Sequence, residues 1–329
     1  MSALKAPFPY FGGKHKAAPE VWQAFGVVDN FVEPFCGSAA MLLAAPDGRR
    51  VETINDADGF VSNFWRSIAK CPEDVAHYAD WPINEVDLFA RHSWLVRQTT
   101  TLTERLHADP DWFDVKIAGY WVWGINSWIG HGWCEGVGPW VHDGEKIVNS
   151  RQLPHLGDAG RGINRKLPHL GDAGRGINKD NGTMTRQDFI FDWFGKLHDR
   201  MRDVRVTCGD WQRVVKDSVT TRHGVTALFL DPPYSKGDMQ YAAGGMGTDI
   251  AMQVQAWCAE NGNNKDLRIV LCGHAGEHDA LLQHGWHLRT WKAGGGYAQT
   301  EEAIQNRKDE TLWCSPHCTP LEKQQEGLF

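Results

Sequence analysis

Asp231-Pro232-Pro233-Tyr234 closes an apolar run, Ala227–Leu230, and joins a carboxylate, two prolines and an aromatic ring in four residues. Proline fixes its own backbone and lacks an amide donor, so the carbonyls beside it stay open to accept hydrogen bonds. An amino group entering this turn can donate one N–H to Asp231 and a second to the carbonyl of Pro232, while Tyr234 stacks on the ring that bears it. A carboxylate at the end of a buried strand is costly to desolvate, and neighbouring prolines offer it no donor. The four residues form a candidate catalytic slot for the exocyclic amine of a nucleobase.

Ligands of open parallel sheets bind beyond the carboxyl ends of the strands, which is where such a slot belongs. The N-terminal part supplies more of that sheet. Asn30–Gly37 (NFVEPFCG) reads as a strand ending in a glycine turn, SAAMLLAA continues as helix, and Arg49–Asp56 (RRVETIND) is a second strand. Phe60, Phe64, Trp65 and Ile68 then recur at helical spacing. Strand, glycine turn, helix, strand, acid, helix is the order of a nucleotide-binding α/β unit. From Cys71 to Ile129 the chain reads as helical and Trp-rich, and from Gly130 to Thr185 as Gly-rich loop. Thr185–Met201 is an amphipathic helix. Strands are expected at Asp203–Trp211, Gly224–Tyr234 and Leu267–His274, a helix at Gly276–His284, and a closing strand pair in Trp286–Lys292 and Asp309–Ser315.

DPPY after a strand resembles the signature of amino-methyltransferases that act on adenine N6 of DNA, and the motif order resembles their Dam-type (class alpha) branch. Pro9–Lys14 (PYFGGK) resembles its aromatic-x-GGK motif, Phe31–Leu42 (FVEPFCGSAAML) its PF-x-G-x-G motif, and Ile54–Asp58 (INDAD) its second motif. The resemblance spans residues 5–75 and 203–315. It implies an α/β fold: a Rossmann-like, S-adenosylmethionine-dependent methyltransferase sheet with an inserted helical and loop-rich target-recognition domain. It also implies roles for individual residues. Tyr10 and Lys14 would contact S-adenosylmethionine, Lys14 near its carboxylate. Pro34, Phe35 and Gly37 would form the turn beside its methionine portion, Asp56 would accept from its ribose, and Asp210 would lie near its adenine. Asp231 would sit beside the methyl-donor end and hold the target amine, with Pro232, Pro233 and Tyr234 completing the catalytic turn. Two departures stand out: Ala39 replaces the last glycine of PF-x-G-x-G, and Tyr10 with Phe11 stands where the family often has Trp.

The 329 residues carry a net charge of −7, against indiscriminate coating of nucleic acid. Arg151–Lys179 holds six basic residues against two acidic ones, a local +4 on a body of −11. Within it RQLPHLGDAGRGIN (Arg151–Asn164) is followed at once by RKLPHLGDAGRGIN (Arg165–Asn178). Two copies are too few for a solenoid, so the repeat reads as a doubled DNA-contacting loop. Its candidate contacts are Arg151, His155, Arg161, Asn164, Arg165, Lys166, His169, Arg175 and Asn178. The domain reading is a cofactor-binding half at 1–75, a target-recognition insert at 76–202 and a DPPY half at 203–329. Eight scattered cysteines lack any CxxC pair, and Cys314, His317 and Cys318 have no second ligand pair nearby, so no metal is expected. With no signal-like or membrane-length apolar run, the sequence reads as a soluble cytoplasmic protein, nucleoid-associated in a bacterial or phage-infected cell. Its expected partner is double-stranded DNA, bound as a monomer or as a homodimer on a palindromic site. Cytosine-N4 methylation, RNA guanine-N2 methylation and a catalytically inactive DNA-binding repressor are the alternatives. Asp231 and the N-terminal motif favour adenine, and the long separation of Gly37 from Asp231 leaves room for a DNA-reading insert.

Overall fold

Phe31 and Val32 of one strand and Leu228–Leu230 of another are buried on both faces, as parallel strands covered by helices must be. The computed structural model describes residues 4–10, 14–128, 133–134, 140–142, 147–149, 185–233, 247–290 and 310–320. Their elements run α1 (Ala18–Phe25), β1 (Asn30–Glu33), α2 (Ala40–Leu43), β2 (Val51–Asp56), α3 (Gly59–Lys70), α4 (Pro72–Ala79), α5 (Glu85–Ala108) and α6 (Val115–Ile125). There follow β3 (Trp140–His142), β4 (Ile147–Asn149), α7 (Arg186–Met201), β5 (Arg205–Cys208), β6 (Thr226–Leu230), α8 (Gly247–Asn261), β7 (Leu267–His274), β8 (His287–Thr290) and β9 (Glu310–Cys314). Packing divides the chain into two units, residues 1–13 with 56–209 and residues 14–55 with 210–329.

The second unit holds six of the seven main-sheet strands, in the order β2-β1-β6-β7-β9-β8. β1 pairs in parallel with β2 and β6, and β6 with β7, while β9 runs antiparallel to both β7 and β8. A mostly parallel sheet with an antiparallel edge is a Rossmann-like α/β architecture. Val32, Leu228, Leu230, Ile269 and Leu271 form its core with Trp211, Trp286 and Trp313. Register aligns Val32 with Leu228 and Leu228 with Ile269, so β1, β6 and β7 present their carboxyl ends side by side.

In the first unit α3–α7 form a helical assembly with aromatic packing. Side-chain caps start the helices: Asp58 accepts from the Phe60 amide, Asn84 from Asp87, Asp114 from Ile117 and Thr185 from Asp188. Arg66 on α3 is buried, and its guanidinium donates to the carbonyls of Leu106, Asp109, Trp112 and Val206 at 3.1–3.3 Å. It thus ties α3 to the end of α5, the loop after it and β5. α4 and α6 pack so closely that a methyl group on Gly119 would lie 2.3 Å from Tyr78 Cβ.

Several expectations needed correction. α1 and α8 are helices that the periodicity reading missed. The expected helix at Gly276–His284 is a short 3-10 turn over Asp279–His284, bounded by Gly276 and Gly285 at φ +83° and +80°. The strand expected at Asp203–Trp211 stops at Cys208, because Gly209 adopts φ +127° and Asp210 caps a 3-10 turn over Trp211–Arg213. Within the stretch read as loop, β3 and β4 form an antiparallel pair that aligns Val141 with Val148.

Candidate active site

Asp231 is the first residue after β6, a strand buried along its whole length. Its Oδ2 lies 3.2 Å from the Lys14 ammonium, with Lys14 3% and Asp231 19% exposed. Lys14 is held by the turn that starts α1, where its carbonyl accepts from the Ala17 amide. A half-buried carboxylate thus has a buried cation as its partner, which the prolines beside it could not provide. Pro232 is buried and Pro233 half-buried. Tyr234 lies outside the described residues.

The turn after β1 is held by two residues that sequence reading left without a role. Glu33 is buried and its carboxylate accepts from the Leu42 amide at 3.2 Å. Asn55 is also buried; its side-chain amide donates to the Pro34 carbonyl at 3.0 Å, and its own carbonyl accepts from the Cys36 amide at 2.9 Å. Their signal was present as polar residues inside otherwise apolar strands. The turn passes through two left-handed residues, Gly37 at φ 43° and Ala39 at φ 50°. The Ala39 departure therefore falls where glycine is favoured, which accounts for the family's glycine there. Phe35 leaves this turn to pack against Trp211, with ring centroids 6.0 Å apart. Asp210 precedes that tryptophan; it is exposed, and its Oδ1 accepts from the Gln212 amide at 2.7 Å. Lys14 with Asp231, and Phe35 with the turn of Asp210, are thus brought together within the second unit.

Tyr10 and Asp56 belong to the first unit. Tyr10 is half-buried and packs edge-on to Phe8, itself inserted among Phe64, Trp65 and Trp121. Asp56 ends β2, half-buried, and its Oδ1 accepts from the Asp58 amide at 2.9 Å. Its carbonyl accepts from Gly209, which joins the end of β2 to the turn after β5. The cap of α3 is Asp58, so helix capping does not account for Asp56. Burial pushes the Asp58 carboxyl up, against the amides of Phe60 and Val61.

Among the described residues no group of three or more His, Cys, Asp or Glu could hold a metal ion. Arg151, His155, Arg161, Asn164, Arg165, Lys166, His169, Arg175 and Asn178 all lie outside the described residues. No helix among those described is long and apolar enough to cross a membrane.

The seven-stranded α/β sheet, with a DPP turn at the end of a buried parallel strand, is that of a Rossmann-like methyltransferase. The family model for D12 class N6 adenine-specific DNA methyltransferases matches residues 10–92, which include Tyr10, Lys14, the turn after β1 and Asp56. This match covers the N-terminal part of the chain and supports a Dam-type DNA adenine methyltransferase, an S-adenosylmethionine-dependent enzyme acting on adenine N6 at specific sites. No curated protein gives a significant match to the chain.

Proposed function

We propose that Asp231 is the acceptor for the target amine, and that the adenine is flipped out of duplex DNA to reach it. The supporting observation is the carboxylate at the end of buried β6, held as half of an ion pair with Lys14. An adenine amine is a weak nucleophile because its lone pair is delocalised into the ring. Asp231 and the Pro232 carbonyl accept its two N–H groups, localise the lone pair on nitrogen and aim it along the line of attack. When bound, S-adenosylmethionine supplies the electrophilic methyl group. The N–C bond would form as the donor's S–CH3 bond breaks with its electron pair left on sulfur, and the surplus amine proton would leave through Asp231 to water. The amine is unreachable inside the stacked duplex, and Tyr234 stacks on the extruded base.

In this proposal Lys14, Tyr10, Pro34, Phe35, Gly37, Asp56 and Asp210 bind the methyl donor, Asp56 through its ribose. Residues 76–202 serve as the target-recognition insert, with the doubled loop at 151–178 contacting phosphates and base edges. The protein acts in the cytoplasm on double-stranded DNA, as a monomer or as a homodimer on a palindromic site. Calorimetric titration of S-adenosylmethionine tests the assignment. Loss of a hydrogen bond to a charged group costs about 1.5–3 kcal/mol, so Asp56→Ala should bind at least about tenfold more weakly. A folded Asp56→Ala protein with wild-type affinity would refute the role of Asp56. 2-Aminopurine at the target position should brighten on binding, and unchanged fluorescence in a bound complex would refute flipping.

A further inference from the structure

The first unit contains a cavity of about 530 Å3 that the methyl-transfer site does not use, walled by α4, α5, α6 and α7. Its lining includes Trp81, Asp87, Arg91, Trp94, Lys116 and Tyr120. The rings are arranged around two cations. The Arg91 guanidinium lies 4.1 Å from the Tyr120 ring centroid, 4.3 Å from that of Trp123 and 5.2 Å from that of Trp81. The Lys116 ammonium lies 4.8 Å from the Trp94 ring and 5.4 Å from that of Tyr120. Trp81 is 46% exposed, and Trp94 and Tyr120 are half-buried.

The charges favour an anion. Arg91 is 7% exposed and donates to the Tyr78 carbonyl. Among the described residues, neither Arg91 nor Lys116 has a carboxylate within 4.0 Å. The cavity's two carboxylates have closer partners than its cations, although Asp87 also attracts Arg91 at longer range. Asp80 pairs with Arg186 at 3.4 Å, and Asp87 accepts from the Trp81 indole and the Asn84 amide, both at 2.6 Å. Two cations without close counter-ions, one of them largely removed from water, set among flat aromatic faces, match a planar ring attached to a negative group. The volume falls in the range of about 300–1,000 Å3 typical of small-ligand pockets.

We propose that this cavity is a second nucleotide site, taking one unstacked nucleotide with its base against Trp94 and Trp81 and its phosphate on Lys116 and Arg91. The same chemistry is offered by a free mononucleotide and by an unpaired nucleotide in a DNA strand. The test uses the full-length protein without methyl donor, so its outcome is independent of catalysis. Binding of dAMP, adenosine, a paired duplex and the same duplex with a one-nucleotide bulge is followed by calorimetry for wild type, Trp94→Ala and Lys116→Gln. Circular dichroism first establishes that both variants are folded.

Wild type is expected to bind dAMP about tenfold or more tightly than adenosine, since a charge-assisted phosphate contact is worth at least about 1.5 kcal/mol. Both variants should lose about tenfold in dAMP affinity. A preference for the bulged duplex that disappears in both variants identifies the ligand as a DNA-borne nucleotide. Loss of dAMP binding without any bulge preference identifies a free nucleotide. If both folded variants bind dAMP and the bulged duplex as wild type does, or if wild type binds adenosine as tightly as dAMP, the proposal is overturned.

Discussion

Replacing Lys14 by Met removes the cation beside Asp231 while keeping a side chain of similar length. At 3.2 Å two unit charges attract by about 5 kcal/mol at an effective dielectric constant of about 20. Desolvation of both groups offsets much of this in the intact pair. Removing one partner leaves the other charge uncompensated, at a cost of about 3–5 kcal/mol when fully buried. Asp231 keeps 19% of its exposure, so water recovers part of that and the expected loss of folding free energy is about 2–3 kcal/mol. Asp231 also loses the group that orients it, so kcat at saturating S-adenosylmethionine should fall by about 30–150-fold, the factor equivalent to 2–3 kcal/mol. Lys14→Arg keeps the charge and should recover a substantial part of both losses. The assays are urea denaturation and steady-state kinetics with the methyl donor varied at saturating DNA. A raised KM for the donor with unchanged kcat and unchanged stability would refute the pairing argument and leave Lys14 a cofactor contact alone.

Ala39 sits at φ 50°, so Ala39→Gly should stabilise the protein by up to about 1 kcal/mol in denaturant titration; a destabilised variant would show that the Ala39 methyl matters more than the strain. Arg66→Met strips donors from four carbonyls at once and should cost about 4 kcal/mol or more, whereas a loss under about 1 kcal/mol would mean that water replaces the guanidinium. Burial lowers the proton affinity of His278 and His287, so both stay neutral in the folded state below the pH at which the unfolded chain takes up their protons. Their stabilising contribution is present above about pH 6.5 and is lost as pH falls through that value towards the lowered folded pKa. The double variant His278→Gln/His287→Gln should show a flatter fall in unfolding free energy below pH 6.5 than wild type, and identical profiles would contradict this.

The strand ends were legible because their signals are local: FVEPFCG, INDAD and DPP each place a strand end and a turn within a few residues. β8 and β9 were also readable, from short stretches carrying Trp286, Leu288, Leu312 and Trp313. What escaped depends on long-range packing. Lys14 meets Asp231 only because α1 and β6 are packed in one unit, and no spacing rule links positions so far apart. The carbonyl partners of Arg66 come from three separate segments, so the sequence shows only an arginine on an amphipathic helix. α8 carries Ile250, Val254, Trp257 and Cys258 at helical spacing, but its polar face is interrupted and its periodicity weak. At Gly276–His284 the apolar spacing suggested a helix, and two left-handed glycines restricted it to a single short turn.

The central claim, that Asp231 at the end of β6 directs methyl transfer to adenine N6, is tested most directly by nucleoside analysis of methylated DNA. Genomic or plasmid DNA lacking the modification is incubated with S-adenosylmethionine and either wild type or Asp231→Ala, then digested and quantified by mass spectrometry. N6-methyladenine should accumulate with wild type and fall by at least about a hundredfold with a folded Asp231→Ala variant that retains donor binding. N4-methylcytosine as the product, or wild-type levels of N6-methyladenine from Asp231→Ala, would contradict the account.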